Sequence, residues 1–249
     1  MRLQYNKIAE EYAQYRSSDA AVVENLIASS GISAASTVLE IGCGTGNYLS
    51  EIQERVGCKC FGVDPAQAMS AEARGGNAAV NYRVASAEQL GLSEGVFDFV
   101  FSVDVIHHVE DRAAYFREAF RALRPAGLLA TVTDSEDTIR RRMPLTHYFP
   151  DIIEHELKRY PTVEQLRRYA EQARFDIAGE EVVETAHELI DAEKYRRKAF
   201  SCLRLISDKA FTSGIARMTK DLEEGPIRCV SRNFVLWNRK PHVSRPSQP

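Results

Sequence analysis

Val38-Leu39-Glu40-Ile41-Gly42-Cys43-Gly44-Thr45-Gly46-Asn47 is an apolar run broken by one acid and closed by three glycines at alternate positions. A short apolar run bounded by glycine reads as a buried strand leading into a turn. Glycines at such a turn permit positive φ and a close backbone approach to a ligand. In doubly wound sheets ligands bind at the carboxyl ends of the strands, where this turn falls. The spacing is G-x-G-x-G. A dinucleotide turn wants its third glycine where Asn47 stands. Glu40, just before the turn, would repel a pyrophosphate and favour a cation. Asp64 closes the next strand, where an acid can take the two ribose hydroxyls of a nucleoside. The combination specifies a nucleoside carrying positive charge rather than phosphates.

The pattern repeats outward from the turn. Thr37–Ile41, Cys60–Asp64, Val80–Val84, Phe97–Ser102 and Leu128–Thr133 read as strands. They alternate with helices near Tyr48–Val56, Ala66–Ala73 and Asp111–Leu123. Strands alternating with helices through short connections predict a parallel sheet covered on both faces. Upstream, Ala20–Ser29 reads as a helix stopping at Gly31, and Tyr5–Arg16 has helical apolar spacing. Past Asp134 the rhythm breaks. A short helix is expected at Asp151–Arg159. Thr162-Val163-Glu164-Gln165 is a capping box opening a helix to Ala173. Phe175–Val183 reads as a strand, Asp191–Glu223 as containing a long helix, and Ser231–Trp237 as the last strand.

The 249 residues suit one domain with a built-in cap. Hydrophobic residues make up 44 % and charged residues 27 %, which excludes global disorder. No apolar run reaches the roughly 18–20 residues of a membrane span, and the start of the chain lacks an apolar signal core. Five scattered cysteines do not form a secreted disulfide framework, so a cytoplasmic location is expected. The net charge of −3 argues against a bulk nucleic-acid binder. Residues 1–137 carry 11 Lys and Arg against 19 Asp and Glu, a net −8, while residues 138–249 carry 21 against 16, a net +5. A basic second half could attract an anionic substrate, or could simply be solvated helix faces.

These residues resemble the class I S-adenosylmethionine-dependent methyltransferases, in the branch with the ubiquinone/menaquinone-type small-molecule enzymes. Five motifs carry the likeness in order: Val38–Gly46, Phe61–Asp64, Ala85-Ser86-Ala87-Glu88-Gln89-Leu90, Phe97–Ser102 running into Ile106-His107-His108, and Leu123–Leu128. The likeness is good over residues 5–135 and moderate over 162–185. It implies an α/β fold with a doubly wound, mostly parallel, seven-stranded Rossmann-like sheet and helical cap insertions. Residues 1–240 would form one methyltransferase domain. Within it, residues 1–30 would supply lid helices, 36–135 the cofactor core, and 138–161 with 186–226 the substrate cap. Residues 241–249 would be a disordered tail.

The resemblance implies S-adenosylmethionine as cofactor, with S-adenosylhomocysteine as product. Glu40, Gly42 and Gly44 would shape the pocket for its amino-acid part, and Asp64 would bind the ribose. Met69, Ser86 and Ala87 would line the adenine, and Val103 would lie near the methionine portion. Ser86 departs from the branch, which usually has Asp there. Tyr5, Tyr12 and Arg16 would belong to a lid over the cofactor. The plainer alternatives are structural glycines, a helix-capping Asp64 and ordinary core tyrosines.

Methyl transfer from a sulfonium needs alignment and water exclusion more than acid–base help. Where the acceptor must lose a proton, the candidate bases are His107, His108 and Asp134, with His147 and Tyr148 as outsiders. Arg140-Arg141-Arg142 could meet a carboxylate or phosphate, though such a run is more often a solvated face. Tyr148, Phe149 and Tyr195 could line an apolar pocket or simply pack the cap. Cys58-x-Cys60 lacks the pairing of a zinc site, and no metal is expected. The expected partner is a small molecule, anionic or aromatic. An RNA methyltransferase and a catalytically silent S-adenosylmethionine-binding regulator stay open as alternatives.

Overall fold

The computed structural model describes residues 17–242, so the expected lid residues Tyr5, Tyr12 and Arg16 and the tail from residue 243 lie outside the described residues. Helix α1 (Ala20–Ser30) precedes five strands and three α-helices: β1 (Thr37–Ile41), α2 (Asn47–Val56), β2 (Lys59–Asp64), α3 (Gln67–Gly76), β3 (Asn81–Val84), β4 (Phe97–Val103), α4 (Arg112–Ala122) and β5 (Leu123–Thr133). Short helices α5 (Glu136–Arg140), α6 (Leu145–Tyr148) and α7 (Ile152–Arg159) follow, then α8 (Val163–Gln172) and β6 (Asp176–Leu189). Helices α9 (Glu193–Arg196) and α10 (Asp208–Glu224) precede the final strand β7 (Ile227–Arg239).

The seven strands form one sheet in the order β3-β2-β1-β4-β5-β7-β6. The first five are parallel, while β7 runs antiparallel to both β5 and β6. From β1 the chain winds outward through β2 and β3, then crosses back to β4 and β5. The switch point therefore lies between β1 and β4, where an open α/β sheet leaves a crevice at its carboxyl edge.

Alternation along the strands builds two cores. Leu39, Ile41, Val100 and Leu129 face Tyr115, Phe116 and Leu166 on one side. Val38, Cys60, Phe99 and Phe101 face Val22, Leu49, Ile52 and Trp237 on the other. Phe99 stacks on Phe101 at 5.5 Å and on Trp237 at 5.9 Å. A third core belongs to the cap, where Leu145, Tyr148, Phe149, Tyr195, Leu203 and Met218 pack together.

Three expectations are corrected. The long helix expected within Asp191–Glu223 is α10, and the apolar residues from Tyr195 to Leu203 lie before it, in α9 and a 3-10 turn at Ser201–Arg204. Lys198 turns left-handed at φ 49, and Ser207 caps a new helix start. The apolar spacing there serves the cap core from separate elements. Strand β6 extends to Leu189 because its hairpin with β7 pairs continuously from Gly179 opposite Trp237 to Leu189 opposite Ile227; residues 186–189 are therefore sheet, not cap. Strand β5 begins at Leu123 rather than Leu128, with Ala126 at φ 66 turning the chain at Pro125–Gly127. The capping box at Thr162 forms as expected, with its hydroxyl on the Gln165 N–H and the Gln165 side chain on the Thr162 N–H.

Candidate active site

The glycine turn is a cradle of bare backbone. Gly42, Gly44 and Gly46 all take positive φ, at 72°, 52° and 78°. A methyl on Gly42 would overlap Val105, and one on Gly46 would overlap the Tyr82 ring. The N–H groups of Gly42 and Cys43 donate to the Val63 carbonyl at 2.7 and 3.0 Å, locking the turn to β2. The Gly44 N–H donates to Asp64 Oδ2 at 3.0 Å, and Asp64 Oδ1 accepts from Ala66 N–H at 2.8 Å. Asp64 thus ties two loops together. Burial raises its carboxyl above the usual range, opposed by those two N–H donors.

Glu40 is 2 % exposed and its Oε2 has no partner among the described residues. Burial holds this carboxyl well above the ordinary range, against a bond from the Leu49 N–H, with Asp64 adding repulsion. A buried carboxylate oxygen without a donor is costly and asks for one. Beside Asp64, Ala85 N–H donates to the Asp64 carbonyl at 3.2 Å. That bond brings half-buried Ser86 and buried Ala87 to the same edge. Buried Met69 packs with Ala66 in a small satellite of its own. Val103 closes β4 opposite Val132.

A cavity of about 290 Å³ opens between the carboxyl edge of the sheet and the cap. His107, His108 and Asp134 all line it. His107 stacks on Tyr160 at 4.1 Å and leans on His108 at 4.0 Å. Its Nδ1 is buried and unpartnered among the described residues. Burial, then His108 and the guanidiniums of Arg159, Arg142 and Arg112, push the imidazole well below its ordinary value, so it stays neutral. His108 is exposed at the cavity. His147 is exposed against Tyr148, whose hydroxyl bonds Asp221 at 2.6 Å, and neither lines the cavity.

The three arginines split. Arg140 and Arg141 lie on the surface of α5, bonded to the Glu136 carbonyl and to Asp137. Arg142 is drawn inside. It binds Asp134 and reaches Glu156 at 3.0 Å, and Arg159 meets the other oxygen of Glu156 at 2.6 Å. Burial raises Asp134 to about 6, eased by Arg142 and worsened by Asp104. Among the aromatics, Tyr195 lines the cavity, while Phe149 stacks within the cap core at 6.3 Å from Tyr195.

Sequence reasoning passed over Asp104, Tyr48 and Asp19, which also line the cavity. Asp104 follows β4 directly and is held at φ 56, with its N–H on the Val132 carbonyl at 3.0 Å. A non-glycine residue in that region marks a constrained site. An acid immediately after a strand at the switch point was the available signal. Tyr48 takes the Asp19 N–H on its hydroxyl at 3.2 Å, joining α1 to α2 at the rim.

Residues 39–131 match the family model described as a methyltransferase domain. A ubiquinone biosynthesis O-methyltransferase from Rhizobium rhizogenes is 37 % identical over 100 residues, covering 39 % of this chain and 40 % of that protein. One from Xanthomonas oryzae is 33 % identical over 138 residues, covering 48 % and 57 %. The chain thus spans about half the length, or less, of these curated relatives. A protein from Anabaena variabilis, assigned as a methyltransferase of an antibiotic biosynthesis pathway, superimposes at TM-score 0.68 with 22 % identity, over 89 % of this chain and 98 % of the other. Phosphoethanolamine N-methyltransferase 2 of Haemonchus contortus, in complex with S-adenosyl-L-methionine, superimposes at 0.62 with 19 % identity, over 97 % and 58 %. Sheet order and glycine turn are the fold shared with these methyltransferase structures, and residues 39–131 carry the methyltransferase-domain match. The family match ends at residue 131, before the cap begins.

Proposed function

We propose that this chain transfers a methyl group from S-adenosylmethionine to a small-molecule acceptor. The observation that carries the reading is Glu40, a buried carboxylate with a partnerless oxygen beside three left-handed glycines. That site suits a ligand with a cationic amino-acid portion and no phosphate. Glu40, Gly42 and Gly44 would hold that portion, Asp64 the ribose hydroxyls, and Met69, Ser86 and Ala87 the adenine. When bound, the cofactor supplies an electrophilic methyl on a sulfonium. The chain's own task is alignment and water exclusion.

The cap, residues 138–161 and 190–226, would choose the acceptor. Its cavity supports an anionic or aromatic small molecule, with Tyr48, Tyr160 and Tyr195 as walls and basic groups at the mouth. His107 is the preferred proton acceptor because it is neutral and its Nδ1 is unpartnered. Asp134 is already engaged by Arg142 and Thr138, and serves better to position them. His108 would assist at the rim. All five cysteines are free, which supports a reducing, cytoplasmic setting. No helix among the described residues is long and apolar enough to cross a membrane.

Titration calorimetry with S-adenosylmethionine and S-adenosylhomocysteine tests the reading. Micromolar binding of both is expected. Binding of neither, with binding of NAD, would replace it with a dinucleotide site.

A further inference from the structure

The cavity is charged asymmetrically. Half-buried in its wall stands Asp104, whose carboxylate has no hydrogen bond or ion pair among the described residues. Its backbone is held left-handed, so the acid is presented there at a conformational cost. Asp134 and Glu156 are answered by Arg142, and Asp19 by the Ala21 N–H and the Thr185 hydroxyl at 3.0 Å. At the exposed mouth stands Arg204, which spends only its Nε, on the Lys198 carbonyl at 3.3 Å. It too has no acidic partner among the described residues, whereas its neighbour Arg232 is paired with Glu184 at 2.7 Å. One pocket therefore holds an unanswered anion within and an unanswered cation at the entrance.

We propose that the acceptor is dipolar: an amine whose nitrogen is the methylation site, carrying a carboxylate or phosphate at its far end. This deepens the methyl-transfer reading and rests on it. Asp104 holds the ammonium, and Arg204 takes the anionic group with a charge-assisted fork. A hydroxyl acceptor fits this wall poorly, because it would have to become an anion beside Asp104 and Asp134. Tyr48 illustrates this. Its phenol is pushed above the ordinary range by burial and then by Asp104, so it stays protonated. The bound ammonium gives one proton to neutral His107. The freed nitrogen lone pair then forms the bond to the methyl carbon, and the carbon–sulfur pair returns to sulfur. Each turnover yields the methylated ammonium, the thioether and one proton passed on to solvent.

The test is calorimetry on the full chain saturated with S-adenosylhomocysteine, so a failure of the cofactor reading shows first, as no loading. The probes are ω-amino acids from 3-aminopropanoate to 8-aminooctanoate, each beside the alkylamine, the carboxylate and the ω-hydroxy acid of equal length. One chain length should bind at least about tenfold tighter than its three analogues, as a charge-assisted bond at each end requires. Arg204→Gln should erase the advantage over the alkylamine, and Asp104→Asn the advantage over the carboxylate. Asn tolerates the left-handed backbone, so that variant should fold. Loss of S-adenosylhomocysteine binding in Asp104→Asn would assign this acid to the cofactor and overturn the proposal. Equal affinities across the four probe classes, or a preference for the hydroxy acids, would overturn it too.

Discussion

The backbone N–H of Gly44 donates to the carboxylate of Asp64 across 3.0 Å, so the turn after β1 and the end of β2 are one unit. Asp64→Ala removes an acceptor from Gly44 and Ala66 as well as the carboxylate proposed to hold the ribose. Affinity for S-adenosylhomocysteine should fall ten- to a hundredfold, about 1.4–2.8 kcal/mol. Calorimetry checks it, and unchanged affinity would take Asp64 out of the nucleoside site.

Gly42 lies under Val105, and its φ of 72° suits glycine alone. Gly42→Ala should cost about 1–2 kcal/mol from backbone handedness, plus the overlap, and should abolish cofactor binding. In urea unfolding, Gly42→Ala with Val105→Ala should be less destabilised than the two singles added together, because the overlap is relieved. Plain additivity would mean the contact is unimportant.

Arg142 answers two buried carboxylates. Arg142→Leu leaves Asp134 and Glu156 without it, and should destabilise the fold by about 3–5 kcal/mol. A loss below about 1 kcal/mol in denaturant unfolding would show that the network is not holding the cap to the sheet.

Asp134 is raised from 3.8 to about 6 in the folded chain, chiefly by burial. Between about pH 4 and pH 6 the folded state binds more protons than the unfolded state, so this group's contribution to stability falls as pH rises. Asp134→Asn removes that slope. Relative to wild type, the variant should be more favourable at pH 7 than at pH 4.5. Parallel pH–stability curves would contradict the assignment.

His107 is held neutral by burial and by neighbouring cations. His107→Gln should lower turnover about 10²–10⁴-fold while leaving S-adenosylhomocysteine affinity unchanged. The wild-type rate should not fall on the acid side until well below pH 6.5. Equal losses in turnover and cofactor affinity would make His107 a structural stack on Tyr160.

The strands and turns of the first half were legible where local rules fix them. Val38–Gly46 had to be strand and turn, and Asp64 had to end a strand. The cap was not legible, because its order depends on contacts distant in sequence. Arg142 looked like its two neighbours, and only the fold shows it drawn between Asp134 and Glu156. The spacing from Tyr195 to Ile206 mimicked one helix although two short elements and their connections supply it. Asp104 was missed because its handedness is set by the packing of β4 against β5, not by its own preference.

The cap closes a hydrophobic core of its own, joined at its edge by Leu189 and Ile227 of the β6–β7 hairpin, and Arg142 ties it to Asp134 at the end of β5. The two halves can therefore drift at different speeds over evolutionary time. Mutations that retailor the acceptor pocket leave the nucleoside cradle intact, and the cradle can be conserved while the cap is rebuilt. On the proposed reading, kinship over residues 39–131 speaks for the methyl donor, and the choice of acceptor belongs to the cap beyond them.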